Sequence, residues 1–183
     1  MNIQIGTDRL MLIPMDSSHT AMFHDFLIRN AEFFKKWSPK YAEGYFEPDY
    51  HKKTLERIEK DTNEGRIIKF GVFLKNDNKK IIGTVAFMNI IYGPFLSCYL
   101  GYRTDEHENG KGYTTEAVKK GLEYVFNELN LHRVEANIVP YNPASIRVVE
   151  KLGFKLEGRS EKYLQINGKW EDHLHYVMLN NKV

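Results

Sequence analysis

Hydrophobic and polar residues follow two different periods along this chain, and these periods separate strands from helices. Short apolar runs rich in β-branched and aromatic residues predict strands, whereas apolar residues three or four positions apart predict helices. The predicted strands are Arg9–Pro14, Ile67–Leu74, Lys80–Ile91, Ser97–Arg103, Arg133–Val139, Glu161–Ile166 and Lys169–Leu179. The predicted helices are Ser17–Asn30, Asp49–Glu64, Thr114–Leu129 and a segment from Asn142 to Gly153, with a short helix and an aromatic loop between Asn30 and Glu47.

Turn residues join these segments. Asn76-Asp77-Asn78 and Asn167-Gly168 each separate two strand-like runs, which predicts two hairpins. Asn142 before Pro143 predicts a helix start, because the Asn side chain caps free N–H groups and proline has none to lose. This order of elements predicts an α+β fold around one mixed sheet. At 183 residues we expect a single domain over residues 1–183.

Composition narrows the class of protein. The chain is 42% hydrophobic and 27% charged, as in ordinary globular proteins, and its net charge of +2 is too small to indicate a nucleic-acid or membrane partner. Its single cysteine, Cys98, excludes an internal disulfide and lies in an apolar run, where a buried thiol is expected. No basic and apolar leader opens the sequence. We therefore expect a cytoplasmic protein.

The segment with the clearest chemistry is the glycine loop from Glu108 to Gly112, which runs into the predicted helix. Backbone N–H groups of such a loop converge on one point, and the helix N-terminus adds about half a positive charge there. The loop therefore predicts an anion site. It does not fit a Walker A loop, because Lys111 is followed by Gly112, nor a dinucleotide fingerprint, because Thr115 stands where a third glycine is needed.

Further motifs accompany the loop in a fixed order. They are Thr7–Leu10 and Gly101-Tyr102 before it, and Leu131–Ala136, Asn142–Ser145, Glu150–Phe154 and Glu157-Gly158 after it. Together they resemble the GCN5-related N-acetyltransferase (GNAT) superfamily, and within it the branch similar to ribosomal-protein N-terminal (serine/alanine) acetyltransferases. The resemblance implies the GNAT fold, a mostly antiparallel central sheet with flanking helices. Its fourth and fifth strands, here Ser97–Arg103 and Arg133–Val139, splay apart, and the former is bent by a bulge.

The resemblance also implies acetyl-CoA as cosubstrate and needs no metal. Pantetheine is expected beside Tyr102, Arg103 and Thr104, like an added strand. The implied pyrophosphate site is the loop with the helix start, namely His107, Asn109, Gly110, Lys111, Gly112, Tyr113 and Thr114. His107 stands where the family usually has Gln or Arg. His173 and His175 share one face of the last strand, but no third ligand supports a metal site.

Catalytic residues follow from the same resemblance. Ser145 is expected to face the sulfur and donate a proton or hydrogen bond, while Asn142 caps the helix and orients CoA. A main-chain N–H at the bulge near Tyr102 is the candidate for stabilising the oxyanion. Asn30 and Trp37 belong to a segment beside the acceptor in the family. The general base stays open, because Leu164 stands where some relatives have a glutamate, and nearby Glu161 is expected to face water.

The expected reaction is direct acetyl transfer to a primary amine, without a covalent acetyl-enzyme. At pH 7 an α-amine of pKa about 8 is roughly one-tenth neutral, whereas a lysine of pKa about 10.4 is neutral about once in 2,500 molecules. A site without a strong base therefore favours a protein N-terminus, such as that of a ribosomal protein. The alternatives are a small amine (polyamine, amino acid or antibiotic) and a non-catalytic acyl-CoA sensor. The resemblance is also compatible with a homodimer.

Overall fold

The computed structural model describes residues 4–183, and the centre of this part of the chain is an eight-stranded sheet. Its strands are β1 (Ile5–Gly6), β2 (Leu10–Pro14), β3 (Ile68–Leu74), β4 (Gly83–Ile91), β5 (Ser97–Thr104), β6 (Arg133–Ile138), β7 (Lys155–Ile166) and β8 (Lys169–Leu179). The order across the sheet is β1-β2-β3-β4-β5-β6-β8-β7. All neighbours are antiparallel except β5 and β6, which are parallel. The predicted α+β fold with a mixed, mostly antiparallel sheet is confirmed.

Helices cover the two faces of the sheet unequally. They are α1 (Thr20–Arg29), α2 (Ala31–Lys35), α3 (Pro48–Asn63), α4 (Tyr113–Asn127) and α5 (Pro143–Leu152). The helices α4 and α5 pack on one face over a core that extends from β2 to β8. The helices α1, α2 and α3 pack on the other face, over a smaller cluster that includes Phe73 and Ile81. The second face is therefore covered mainly over β2 and β3.

The apolar stripe of α4 lies against the sheet as its sequence period predicts. Ala117, Val118, Leu122 and Val125 are buried in the core. Gly121 lies on the same stripe, and a Cβ at that position would stand 2.8 Å from the ring of Phe87. The helix therefore approaches β4 more closely than any larger residue would permit.

The two parallel strands separate soon after they begin to pair. Their register joins Ser97 with Arg133, Cys98 with Val134 and Tyr99 with Glu135, and no later pair forms between these described strands. We call the gap beyond the Tyr99–Glu135 pair the slot. It confirms the predicted splay of the two strands.

The cause of the splay differs from the prediction. The expected bulge in β5 near Tyr102 is wrong, because β5 pairs without interruption with β4 from Tyr99 to Thr104. The irregularity lies instead in β4, between Met88 and Ile91, where Asn89 has a φ of 51°. The slot opens on one edge of β6 only, because β6 keeps its pairing with β8 on the other edge from Arg133 to Ile138.

The final hairpin is longer and less regular than predicted. Its turn, Asn167-Gly168, has positive φ at both residues, as a two-residue hairpin turn requires. However, β7 begins at Lys155 rather than Glu161, and its register with β8 shifts between Ser160 and Leu164. An exposed strand with few apolar residues gave no periodic signal for this first half. Glu161 is exposed, as expected.

A buried carboxylate fixes the end of β5. Asp105 has no exposed surface and accepts hydrogen bonds from Arg29 Nε at 2.8 Å and from the N–H of His107. Burial alone would raise the pKa of Asp105, but these hydrogen bonds and the charges of Arg29 and Lys80 lower it overall. The ionised form therefore stabilises the folded state, and it holds α1 to the segment that leads into the glycine loop.

Replacing Asp105 with Asn should lower the free energy of unfolding at pH 7 by about 3 kcal/mol, because it removes one partner of a buried ion pair. The matched control is Asp25→Asn, because Asp25 pairs with the same Arg29 but is 64% exposed. Its expected cost is below about 0.5 kcal/mol. Denaturant unfolding measures both, and equal costs would contradict the role given to Asp105. The pKa of Asp105 is lower in the folded state than in the unfolded state. The difference in stability between the wild type and Asp105→Asn should therefore be complete above the unfolded-state pKa of about 3.9 and disappear as pH falls through the folded-state pKa.

Candidate functional site

A cavity of about 680 Å³ lies where the slot meets the first turns of α4 and α5. It collects residues from β5, the glycine loop, both helix starts and the segment after α2. The predicted site residues that line it are Trp37, Tyr102, Arg103, Thr104, Asn109, Gly110, Gly112, Thr114, Asn142 and Ser145. Residues far apart in sequence thus meet around one opening.

The backbone of β5 presents unpaired groups to this opening. The N–H of Asp105 donates to the carbonyl of Ile82, the residue just before β4. Along an antiparallel pair of strands, the backbone groups of successive residues point alternately toward the partner strand and away from it. The N–H groups of Tyr102 and Thr104 therefore point away from β4, into the slot. No strand of the described chain pairs with them there.

The glycine loop leaves the N-terminus of α4 open. Gly112 is the N-cap residue, with a φ of 81°, and it has no side chain to bond the free N–H groups of the first turn. Gly110 has a φ of 78°, and nothing lies within 4 Å of the position that a Cβ would take there. Both glycines hold the left-handed conformation that the loop needs. The helix end is thus free to bind an anion.

Arg9 forms an ion pair with Glu116, the acidic residue in the first turn of this helix. The carboxylate of Glu116, in the first turn of α4, accepts hydrogen bonds from Thr7 Oγ1, Arg9 N–H and Arg9 Nε. The guanidinium of Arg9 also donates to the carbonyl of Lys111 and lies 4.6 Å from the ring centroid of Tyr113. The sequence motif Thr7–Leu10 therefore supports the loop from outside the cavity.

Tyr102 and Ser145 form a direct contact inside the cavity. The hydroxyl of Tyr102 lies 2.6 Å from Ser145 Oγ and donates to the Ser145 carbonyl at 3.1 Å. Burial raises the pKa of Tyr102 to about 12. Asn142 Oδ1 accepts the N–H of Ser145 at 3.1 Å, which is the predicted cap of α5. The phenol therefore stays protonated at neutral pH, and when it donates to Ser145 Oγ instead, the single hydroxyl hydrogen of Ser145 is left to point into the cavity.

Four predicted site residues do not line the cavity. His107 is exposed, and Tyr113 packs against Arg9. The ammonium of Lys111 pairs with Glu108 at 2.7 Å, and this carboxylate raises its pKa. Asn30 is buried and accepts the N–H of Glu106 at 2.9 Å, so it joins α1 to the loop.

Sequence reasoning missed several cavity residues. They include Lys36, Ser38, Glu106, Thr115, Ala144, Arg147, Val148 and Lys151. The four on α5 could have been predicted from the sequence, because the spacing of Ala144, Arg147, Val148 and Lys151 places them on one face of a helix. Lys36, Arg103, Arg147 and Lys151 give the lining four cationic side chains, against the single carboxylate of Glu106. The cavity is therefore suited to a polyanion.

Aromatic side chains bridge the mouth of the slot. The ring of Trp37, after α2, stacks on Tyr141 between β6 and α5 with centroids 6.0 Å apart. The carbonyl of Ser38 accepts the N–H of Asn167 at the tip of the β7–β8 hairpin. Phe33 and Phe34 also line the cavity. Three separate segments thus close one side of the opening.

The remaining predictions concern metal ligands and the single thiol. Residues 4–183 contain no cluster of three or more His, Cys, Asp or Glu side chains that could hold a metal ion. None of the described helices is long and apolar enough to cross a bilayer. Cys98 is buried, as expected, and burial raises its pKa to about 12.

Comparisons with known proteins agree on one family. The family description "Acetyltransferase (GNAT) domain" matches residues 9–155. The chain is 41% identical over 155 residues to the probable N-acetyltransferase YjcK of Bacillus subtilis, covering 82% of this chain and 83% of that protein. It is 33% identical over 172 residues to the [ribosomal protein uS5]-alanine N-acetyltransferase of Escherichia coli, covering 94% and 88%. The crystal structure of ribosomal-protein-S5-alanine acetyltransferase from Vibrio fischeri superposes with a TM-score of 0.92 at 33% identity, covering 98% and 97%.

Replacing Gly110 with Asp should weaken acetyl-CoA binding about tenfold, because it would place a carboxylate in the loop where the sequence predicts the pyrophosphate site. The matched control is Gly110→Asn, which has the same shape, is tolerated at positive φ and carries no charge. Two unit charges about 4 Å apart interact by about 1 to 4 kcal/mol near a protein surface, which covers the expected loss. Calorimetry at low salt measures both affinities. Equal affinities for the two variants would place the phosphates elsewhere.

Proposed function

Because the chain belongs to the GNAT family of acetyltransferases, we propose that it transfers the acetyl group of acetyl-CoA to the N-terminal α-amine of a protein, by direct attack in a ternary complex. We take this protein to be a ribosomal one. The observation that carries the proposal is the cavity in which a free strand edge, an uncapped helix N-terminus and four cationic side chains meet. GNAT enzymes use acetyl-CoA, which is a long amide chain with phosphates at its far end.

The cofactor fits this cavity in a definite direction. The pantetheine amides pair with the carbonyl of Tyr102 and the N–H of Thr104 on the free edge of β5, which leaves the N–H of Tyr102 for the thioester. The pyrophosphate binds the backbone from Asn109 to Thr114, where Gly110 and Gly112 expose the N-terminus of α4. Arg147 and Lys151 on α5 supply further positive charge for the phosphates. Arg103 lines the same opening, and Asn142 orients the cofactor through the start of α5.

Two groups act on the reacting atoms. The N–H of Tyr102 points into the slot and stabilises the oxyanion that forms on the thioester carbonyl. The hydroxyl of Ser145, paired with that of Tyr102, donates a hydrogen bond to the sulfur as the C–S bond breaks. The raised pKa of Tyr102 keeps its phenol protonated throughout, so it supports Ser145 as a donor and does not compete as a base.

The acceptor side favours a peptide over a polycation. A polyamine pocket needs several carboxylates, whereas the described cavity lining has Glu106 as its one acidic residue beside Phe33, Phe34 and Trp37. An α-amine also costs roughly 3 kcal/mol less than a lysine to deprotonate at neutral pH. The relative from Escherichia coli is named for the alanine of a ribosomal protein, which supports the same acceptor class.

The proposal extends to the setting of the enzyme. Residues 1–183 are taken as one acetyltransferase domain that acts in the cytoplasm, where ribosomal proteins are made. A homodimer through β7 would cover the free edge of this strand, which carries the exposed side chains of Leu156 and Leu164.

Intact-mass measurement of ribosomal proteins tests the acceptor. Proteins from cells with and without the enzyme are compared, and one protein is expected to gain a single acetyl group that sequencing places on its N-terminal α-amine. Purified enzyme should then acetylate a peptide with that N-terminus, and the same peptide with a blocked α-amine and a free lysine is the control. Turnover of polyamines or amino acids alone would replace the protein acceptor with a small amine. CoA binding with no thiol release on any amine would indicate a sensor.

Replacing Ser145 with Ala should lower kcat about 100-fold, because a positioned proton donor contributes at least that much. The dissociation constant for acetyl-CoA should change less than threefold, since the backbone contacts remain. Tyr102→Phe keeps the N–H and removes the hydroxyl, so a smaller loss of about tenfold in kcat is expected. Steady-state kinetics with CoA-thiol detection measures both variants, and an unchanged kcat for Ser145→Ala would remove this residue from the mechanism.

A further inference from the structure

A cluster of polar side chains on β6, β7 and β8 has no role in the chemistry described so far. His175 is at its centre, with Nδ1 2.6 Å from Asn137 Oδ1 and 3.1 Å from Glu135 Oε1, and with Nε2 2.7 Å from Ser160 Oγ. Tyr163 covers it, with its ring 5.0 Å from that of His175 and its hydroxyl accepting from Asn137 Nδ2 at 3.3 Å. We call these five residues the His175 cluster.

The His175 cluster lies beside the slot, on the face of the sheet away from α4 and α5. On β6, Val134, Ala136 and Ile138 are buried under those helices, so Glu135 and Asn137 project from the opposite face. Glu135 pairs with Tyr99, the last pair before the slot opens. By residue count Asn137 is then level with Gly101, one residue before Tyr102. The cluster therefore lies on the β6 side of the slot, at the level where the slot opens.

An acceptor would arrive from this same face. The cofactor site is formed by the starts of α4 and α5, which occupy the other face. Helices α1 and α3 pack over β3 and leave β5, β6 and β8 partly open. The side chains of Glu135 and His175 are each 17% exposed. An amine that enters opposite the cofactor passes Phe33, Phe34 and Trp37, which line the cavity, while the His175 cluster lies on the β6 side of the slot and outside this lining.

The hydrogen bonds of His175 indicate which atoms of the cluster act as donors and which as acceptors. His175 Nδ1 faces two oxygen acceptors, so it carries the hydrogen, and Nε2 is left to accept from the hydroxyl of Ser160. The imidazole thus orients Glu135 through its Nδ1–H. Each carboxylate oxygen has two acceptor positions, so Glu135 keeps acceptor capacity beyond its bonds to His175 and Arg133.

The charges around Glu135 attract a cation. Arg133 on β6 contacts Glu135 at 2.9 Å and is also held by both oxygens of Glu157 on β7. These hydrogen bonds to Glu157 and Glu135 raise the pKa of Arg133, and Arg133 lowers the pKa of Glu157. One arginine and two glutamates sum to a charge of −1. The other titratable groups that face the cluster are Tyr99 on β5, Tyr163 on β7 and His173 on β8, and Arg103 lies further along the same face of β5.

We propose that Glu135 is the proton acceptor for the acceptor amine, and that His175 is the positioning residue that orients it. The inference rests on the proposed function and names the general base that the sequence left open. Tyr102 lies three residues beyond Tyr99, roughly 10 Å along β5. The Glu135 side chain and one or two water molecules span this length, so the proton is relayed through water.

Atoms and charge balance in this step. An ammonium N–H bond breaks, and its proton passes through water to a carboxylate oxygen of Glu135. The freed lone pair forms the N–C bond with the thioester carbonyl carbon. When the tetrahedral intermediate collapses, the C–S bond breaks and the sulfur takes the second nitrogen proton. Glu135 then releases its proton to solvent, so one ammonium and one thioester give one amide, one thiol and one proton.

The test is the pH profile of kcat/KM for Glu135→Gln against the wild type, with an acceptor α-amine of pKa about 8. At pH 7 the variant should be about 100-fold slower, as expected for loss of a general base. By pH 9.5 the amine is already neutral, so the gap should shrink to less than about fivefold. His175→Gln should lose about tenfold at pH 7 and show the same recovery. Asp172→Asn, which removes a carboxylate paired with Arg159 on the same hairpin, is the control and should match the wild type.

Melting temperatures and acetyl-CoA affinities close to wild type establish that the variants are folded. If Glu135→Gln fails to fold, the profile of His175→Gln decides the question. A gap that is absent, or that stays constant from pH 6.5 to 9.5, overturns the relay and leaves the proposed function intact. If the wild type acetylates only small amines, the proposed acceptor is wrong, and the same profiles measured on that amine still test Glu135.

Discussion

The separation of β5 from β6 is the constraint on which the rest of the structure depends. A buried backbone N–H or carbonyl without a partner is costly, so a sheet that opens in its middle needs something to replace the missing strand. Here β6 keeps its pairing with β8 on one edge and loses β5 on the other edge beyond the Tyr99–Glu135 pair. The backbone groups of Tyr102 and Thr104 that face the opening therefore have no strand partner among the described residues, and an extended ligand would pair with them.

Two carboxylates hold the parts of the site around this opening. Asp105 joins the end of β5 to Arg29 on α1, and Glu116 joins the start of α4 to Arg9 near β2. Each interaction links segments more than 70 residues apart. Because both carboxylates are occupied by arginines, neither opposes an anion at the glycine loop. Neither residue lines the cavity, yet both determine its geometry.

Charge is divided between the two faces of the sheet. The proposed cofactor side combines a helix N-terminus with Arg147 and Lys151, whereas the opposite side carries Arg103 at the cavity and the net negative group of Arg133, Glu135 and Glu157 on β6 and β7. A polyanionic carrier and a cationic amine would thus approach from opposite faces and meet at the slot.

The sequence by itself determined the local features of this protein. The order of strands and helices, the cap at Asn142, the turn at Asn167-Gly168 and the glycine loop before α4 all depend on neighbouring residues, and each was predictable. The bulge in β4, the early start of β7 and the shift between Ser160 and Leu164 were not, because register depends on which strands pair. Only the tertiary structure decided that Lys111 pairs with Glu108, that Asn30 supports the loop and that His175 bonds to Glu135. Those contacts join residues through space, and side-chain direction in a sheet is fixed by pairing that no local pattern encodes.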